Sequence, residues 1–182
     1  MPHFHIPLQS GSDEVLRLMH SRYDTQLYYN KVTRVRELMP DAFIGVDVIV
    51  GTRGETDELF REALGFMEKI DVSQYHVFSY SERPGTKALQ IPYVVSAQQK
   101  HERSQQIIAL SQAKLRGFYE RFVGQVRPVL LEHSKTKGLM HGFTDNYIKV
   151  AVHTANELDN QIVNVRLGKW DSEEELLTAE LI

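Results

Sequence analysis

Apolar residues crowd most densely at positions 42–50, Ala42-Phe-Ile-Gly-Val-Asp-Val-Ile-Val50, and the run stops at Gly51. A strand with one wet face alternates apolar and polar residues. This near-continuous run predicts a strand covered on both faces, as in a parallel α/β sheet. Thr56 follows the turn as a helix cap, with Asp57 and Glu58 where the positive end of a helix favours acids. The stretch reads as strand, turn, helix, and in parallel sheets ligands gather at loops leaving the C-terminal ends of strands. A plainer reading is equally open: Gly51 and Gly54 only permit a tight turn.

The flanking pattern extends this unit. Phe4 to Leu8 predicts a short strand, and Ser12 is expected to cap a helix with Val15, Leu16 and Met19 on its apolar stripe. A second helix starts near Thr25, carries Tyr28, Val32, Val35 and Met39 at helical spacing, and closes at Pro40. After Thr56 comes a helix burying Phe60, Ala63, Leu64 and Met67, then a strand from Val72 to Tyr80. Strand, helices, strand, helix, strand predicts parallel pairing with right-handed crossovers. Three strands leave a sheet with open edges, so further strands are expected from another copy or from a longer chain.

Ser81 to Thr86 reads as a polar turn, and Ala97 to Glu120 as a long helix. Beyond Phe122 the pattern shortens to five β-rich pieces, at Val126–Leu131, 138–142, 147–152, 161–167 and Leu176–Leu181, separated by turn formers. That predicts a small closed barrel, either of the oligonucleotide-binding type or another small β-barrel.

The 182 residues, 42% hydrophobic, suffice for one medium domain or two small ones. No apolar run approaches a membrane span, and the N-terminus lacks the features of a secretory signal, so a cytoplasmic location is expected. There are no cysteines, which excludes disulfides and any thiolate-held cluster built from this chain alone. Net charge is −3, yet residues 97–153 carry nine Lys or Arg against Glu102, Glu120, Glu132 and Asp145. Such an excess suits a polyanion, and solvated helix faces produce it too.

His5-Ile-Pro-Leu-Gln-Ser-Gly-Ser12, Asp47-Val-Ile-Val-Gly51 with Gly54-Glu-Thr56, and His76-Val-Phe-Ser-Tyr-Ser81 with Arg83-Pro-Gly-Thr86 resemble successive signatures of the radical S-adenosylmethionine methylthiotransferases. Val129 to Glu132 and Gly142 to Val150 resemble the TRAM domain that ends them. The resemblance covers essentially the whole chain. It implies part of a radical SAM (β/α) barrel with parallel strands and a trailing helix over residues 1–118, and a five-stranded, OB-like TRAM barrel over 119–182. Leu8-Gln-Ser-Gly11 resembles the tRNA-modifying branches. His76-Val-Phe together with Asn146-Tyr147 resembles the branch acting on N6-threonylcarbamoyladenosine.

The resemblance implies transfer of a methylthio group to carbon 2 of a modified adenosine beside the tRNA anticodon. It implies S-adenosylmethionine and two 4Fe-4S clusters as cofactors, whose cysteines lie in an N-terminal part that this sequence lacks. The expectation is therefore the latter part of an enzyme, inactive alone, whose partners are the missing N-terminal part and the anticodon arm. The alternative is a stand-alone RNA-binding or protein-binding module. By location, Gln9, Ser10, Asp47, Val50, Gly51, Phe78 and Ser79 are expected around S-adenosylmethionine. Tyr80, Arg83, Lys135, Lys137, Phe143, Asn146, Tyr147 and Lys149 are expected to contact RNA by stacking or phosphate pairing, with Phe143 equally suited to the core. Lone strand histidines are more often packed or solvent-facing than ligating, so His5 and His76 receive no metal. Arg53 stands where the family usually has proline, which predicts a looser loop.

Overall fold

The computed structural model describes residues 2–133 and 138–182. Its elements run β1 (His3–His5), α1 (Asp13–Leu18), α2 (Thr25–Leu38), β2 (Phe43–Val50), α3 (Asp57–Lys69), β3 (Gln74–Ser79), a 3-10 turn (Lys87–Gln90), α4 (Ala97–Glu120), β4 (Val126–Leu131), β5 (Leu139–Thr144), β6 (Lys149–His153), β7 (Ile162–Asp171) and β8 (Leu176–Leu181). Two compact units result. One comprises Phe4–Pro40 and Ile44–Ala113; the other comprises Asp41–Phe43, Lys114–Ile182 and the N-terminal residues up to His3.

The first unit is the expected parallel α/β layer, with strand order β1-β2-β3 and Asp47 registered on His76 and Ile49 on Phe78. Ile44, Val46, Val48 and Val50 of β2 share one buried cluster with Tyr28 and Val32 of α2, Phe60, Ala63 and Met67 of α3, and Ile107 of α4. The opposite face differs from the sequence expectation of full coverage, since Asp47 and Ile49 are only half-buried and Phe78 is 53% exposed. The helices α2, α3 and α4 all pack on the Val46 and Val48 face, which leaves Asp47, paired with His5 at 2.8 Å, on the other.

Local signals explain most of the helix starts. The Asp24 side chain accepts from Leu27 N at 2.7 Å, and Thr56 Oγ1 from Leu59 N at 3.3 Å. Ser12 occupies the cap position of α1, but its hydroxyl does not cap; it donates to Glu62 Oε2 at 3.1 Å. The first strand ends at His5, earlier than expected: Pro7 has no N–H to give the ladder, although Ile6 N still donates to Gly45 O at 2.9 Å, and the chain kinks further on at Gln9, where φ is +67°. Leu8 N and Gln9 N both donate to Asp47 O, at 3.0 and 2.9 Å, and Ile49 N then donates to Gln9 O at 2.8 Å, so parallel pairing resumes past the kink.

The second unit holds a closed barrel in the order β4-β5-β6-β8-β7, mixed because β6 and β8 run parallel. Its interior is Val129, Leu131, Met140, Ile148, Val150, Val152, Val165, Leu167 and Leu177, joined by Leu115 and Phe118 from the end of α4 and by Phe122. Arg127 binds Asp145 Oδ1 at 2.8 Å and Asp41 Oδ2 at 3.0 Å. It keeps a raised pKa: desolvation pulls the value down, but hydrogen bonds to the two aspartates outweigh that pull. Among the described residues no helix is long and apolar enough to cross a membrane.

Candidate functional site

The turn at the C-terminal end of β2 is held from below by a buried ion pair. Gly51, at φ +76°, donates its N–H to Glu55 Oε1 at 2.9 Å. Arg103 Nη1 donates to the same oxygen at 2.7 Å and to Glu55 O at 2.9 Å, while Nη2 reaches Asp57 Oδ1 at 2.6 Å. Glu55 and Arg103 are 2% and 3% exposed, so this is a desolvated pair and not a surface contact. Burial pushes the Glu55 carboxyl up, against the pull of the Gly51 N–H and Arg103. Desolvation pulls Arg103 down, yet its bonds to Asp57 and Glu55 leave it raised. We assign a charged pair, because two donors converge on Glu55 Oε1.

Above the turn lies a cleft of about 430 Å³ lined by Ile49, Phe78, Ser79, Tyr80, Ser81, Arg83, Thr86 and Ala88. Four of the residues expected from sequence, Phe78, Ser79, Tyr80 and Arg83, therefore meet in one place. The Ser79 hydroxyl also shares a 3.3 Å hydrogen bond with Ser104. Lys100 Nζ donates to Tyr80 O at 3.0 Å and lies 5.4 Å from the Tyr80 ring centre. Gln9, Ser10, Asp47, Val50 and Gly51 are not brought to the cleft lining. Ser10 is buried and accepts from Ser12 N at 3.2 Å, and Val50 belongs to the helix-side core. Arg53 does not loosen the loop. It bonds Glu82 at 2.7 Å, Leu89 O at 2.8 Å and Ile91 O at 3.1 Å, and so ties the β2–α3 turn to residues 82–91.

Gln9 forms an isolated parallel bridge with Val48, the β2 residue next to Asp47. Asp47 brings together two histidines that the sequence presented as unrelated. His5 Nε2 lies 2.8 Å from Asp47 Oδ2, and the His5 and His76 rings stack at 5.5 Å with an interplanar angle of 2°. One candidate ligand atom from each of the three side chains lies within 4.8 Å of the other two. No local signal could have revealed this, because it depends on the register of three strands.

In the barrel unit, Tyr147 stacks on Phe143 at 5.0 Å and meets His3 at 4.3 Å, and the residue stays 38% exposed at a φ of +69°. Asn146 is fully buried: its Oδ1 accepts from Thr144 Oγ1 at 2.7 Å and its Nδ2 donates to Asp41 O at 3.2 Å. It builds the turn and is closed to a ligand. Lys149 is half-buried with Nζ 3.5 Å from Glu174 O. Lys135 and Lys137 lie outside the described residues.

The geometry is that of a part of a parallel α/β barrel, and comparison with known proteins agrees. Residues 1–67 match the Radical SAM superfamily model. Coproporphyrinogen III oxidase from Escherichia coli, a radical SAM enzyme, shares the fold with a TM-score of 0.53 at 23% identity, over 63% of this chain and 27% of its own. Within that class, the chain is similar along most of its length to tRNA methylthiotransferases. It is 39% identical over 180 residues to the tRNA-2-methylthio-N(6)-dimethylallyladenosine synthase of Symbiobacterium thermophilum, covering 96% of this chain and 38% of that protein. It is 33% identical over 171 residues to the threonylcarbamoyladenosine tRNA methylthiotransferase MtaB of Bacillus subtilis, covering 92% and 38% respectively. The chain thus spans well under half the length of these relatives.

The donor set tests the cofactors this family implies. An iron–sulfur cluster requires thiolates, and the sequence offers none, so the residues present do not fit one. S-adenosylmethionine makes no such demand. A cleft of about 430 Å³ with an apolar wall and a few polar groups falls in the range that binds molecules of its size.

Proposed function

We propose that this chain is the latter part of a tRNA methylthiotransferase: a portion of the radical SAM barrel that lines the S-adenosylmethionine site, followed by an RNA-binding TRAM barrel. The observation that carries this is identity of 39% along 96% of the chain to a protein named for such a reaction. In this reading Ile49 and Phe78 supply an apolar wall for the cofactor, and Gln9, Asp47, Gly51 and Ser79 supply its polar surroundings, with Ser10 and Val50 behind them. Tyr80 and Arg83 sit at the rim, where a ring can stack on a base and a guanidinium can hold phosphate. In the barrel, Phe143, Tyr147 and Lys149, with Lys135 and Lys137, approach RNA, while Asn146 holds the turn that presents Tyr147. The missing N-terminal part would supply the cysteines, so the chain alone is catalytically inactive in the cytoplasm.

The substrate we favour is N6-threonylcarbamoyladenosine beside the anticodon, on the strength of the His76-Val-Phe and Asn146-Tyr147 segments. Both dimethylallyl and threonylcarbamoyl adenosine enzymes are among the relatives. The test is one titration series. An anticodon stem-loop carrying either modification is added to the chain at several salt concentrations, before and after incubation with iron and sulfide. Expected are binding that weakens linearly in log salt, preference for the threonylcarbamoyl form, and no cluster absorbance. Salt-independent binding, or a stoichiometric cluster on this chain, would overturn the respective part.

A further inference from the structure

We propose that His5, Asp47 and His76 form a binding site for a divalent first-row transition metal on the open face of the three-stranded sheet. The three side chains come from three adjacent strands, β1, β2 and β3, and all project to the face opposite the helices. Asp47 is directly registered on His76, and His5 Nε2 already touches Asp47 Oδ2 at 2.8 Å.

Two further observations point to a ligand. Asp47 Oδ1 is buried and has no hydrogen-bond partner among the described residues, although an ionised carboxylate oxygen inside a protein normally has one. A cation bound between Asp47 and the two imidazoles would satisfy it. The second is the pairing of the rings. Two half-open imidazoles lie in parallel planes with their centres 5.5 Å apart, and no hydrogen bond fixes the His76 ring among the described residues. One candidate ligand atom of each of the three side chains already lies within 4.8 Å of the other two.

The donor types select the metal. Two imidazoles and one carboxylate suit zinc, iron(II), cobalt or nickel, whereas magnesium and calcium prefer all-oxygen sets. Three protein ligands leave coordination positions free for water or a small anionic ligand, as in sites that do chemistry and not in closed structural ones. Thiolates, which this chain lacks, are not needed.

The test uses the untagged chain, stripped with chelator and titrated calorimetrically with zinc and, as a spectroscopic probe, with cobalt. Expected is one metal per chain, with affinity lowered at least about tenfold by each of His5→Ala, Asp47→Asn and His76→Ala. His133→Ala is the control, because His133 also pairs with a carboxylate, Asp159, at 2.7 Å in the other unit. Circular dichroism establishes that each variant is folded, and His5→Gln and His76→Gln replace any alanine variant that is not. Imidazole NMR signals on zinc addition give an independent reading, with His5 and His76 expected to shift among the eight histidines. Absence of binding, unchanged affinity in the Asp47→Asn and His76→Ala variants, or loss of binding only with His133→Ala would each overturn the site.

Discussion

Gln9 is where the conformation of one residue sets the geometry of a site. A φ of +67° costs an ordinary L-residue roughly 1–2 kcal/mol, and the kink it produces lets Leu8 and Gln9 share the Asp47 carbonyl. The strained backbone therefore fixes the strand next to Asp47, the residue that joins the histidine pair. If the conformation and not the side chain is what the position requires, Gln9→Gly should raise stability by up to about 1 kcal/mol, because glycine has no Cβ to clash there. Gln9→Val should lower it by about 1–2 kcal/mol, since a β-branched side chain is least tolerant of positive φ. Urea unfolding of the two variants checks this. A result in which both destabilise equally would mean that the glutamine side chain, and not the backbone, is what matters.

At the scale of elements, the β2–α3 turn depends on α4, some fifty residues downstream, through Arg103. Removing one member of a buried pair leaves the other charge uncompensated, at a cost of roughly 3–5 kcal/mol. Arg103→Met is thus expected to lose that much, measured as a fall in the urea midpoint of the α/β unit. Adding Glu55→Gln should recover part of it, since a neutral amide oxygen can still accept from the Gly51 N–H; no recovery would argue against charge as the cause. This dependence was only half legible in the sequence. The strand ending at Gly51, the Thr56 cap and the span of α4 could be read locally, because each is written in neighbouring residues. Arg103 looked like one of nine cations facing solvent or RNA, yet it is 3% exposed, and Arg127 is likewise drawn into ion pairs. A charge count cannot distinguish a phosphate ligand from an internal strut. The His5–Asp47–His76 cluster was invisible for the same reason: register is a non-local property. The kink at Gln9, the Ser12 hydroxyl turned to Glu62, and the anchoring of Arg53 also depended on partners distant in sequence.

At the scale of the whole molecule, two separate cores mean that no single unfolding transition can be assumed, and pH offers a way to follow them apart. Burial raises the Tyr28 and Tyr75 phenols of the α/β unit well above the ordinary tyrosine value. In the barrel unit burial pushes Tyr119 up to about 12, against the pull of the Lys149 N–H that its oxygen accepts at 3.1 Å. A phenol whose folded pKa is raised keeps its proton after the unfolded chain has lost it. Stability is therefore intact below the unfolded value of about 10 and falls as pH rises through the folded one. Each such tyrosine contributes a slope of roughly 1.4 kcal/mol per pH unit within its window. For the barrel the window from this group runs from about pH 10 to about 12. Trp170 is the only tryptophan and packs edge-on against Tyr119 at 5.6 Å, so its fluorescence reports the barrel, while far-UV circular dichroism is dominated by helices of the other unit. Tyr119→Phe should flatten the alkaline decline seen by Trp170 while leaving the decline seen in the helical signal unchanged. The lost acceptor for the Lys149 N–H shifts absolute stability at every pH by about 1–3 kcal/mol, so the slope, and not the midpoint at one pH, is the quantity to compare. An unaltered slope in the variant would mean that ionisation of Tyr119 does not limit the barrel, and that its alkaline loss begins among other groups.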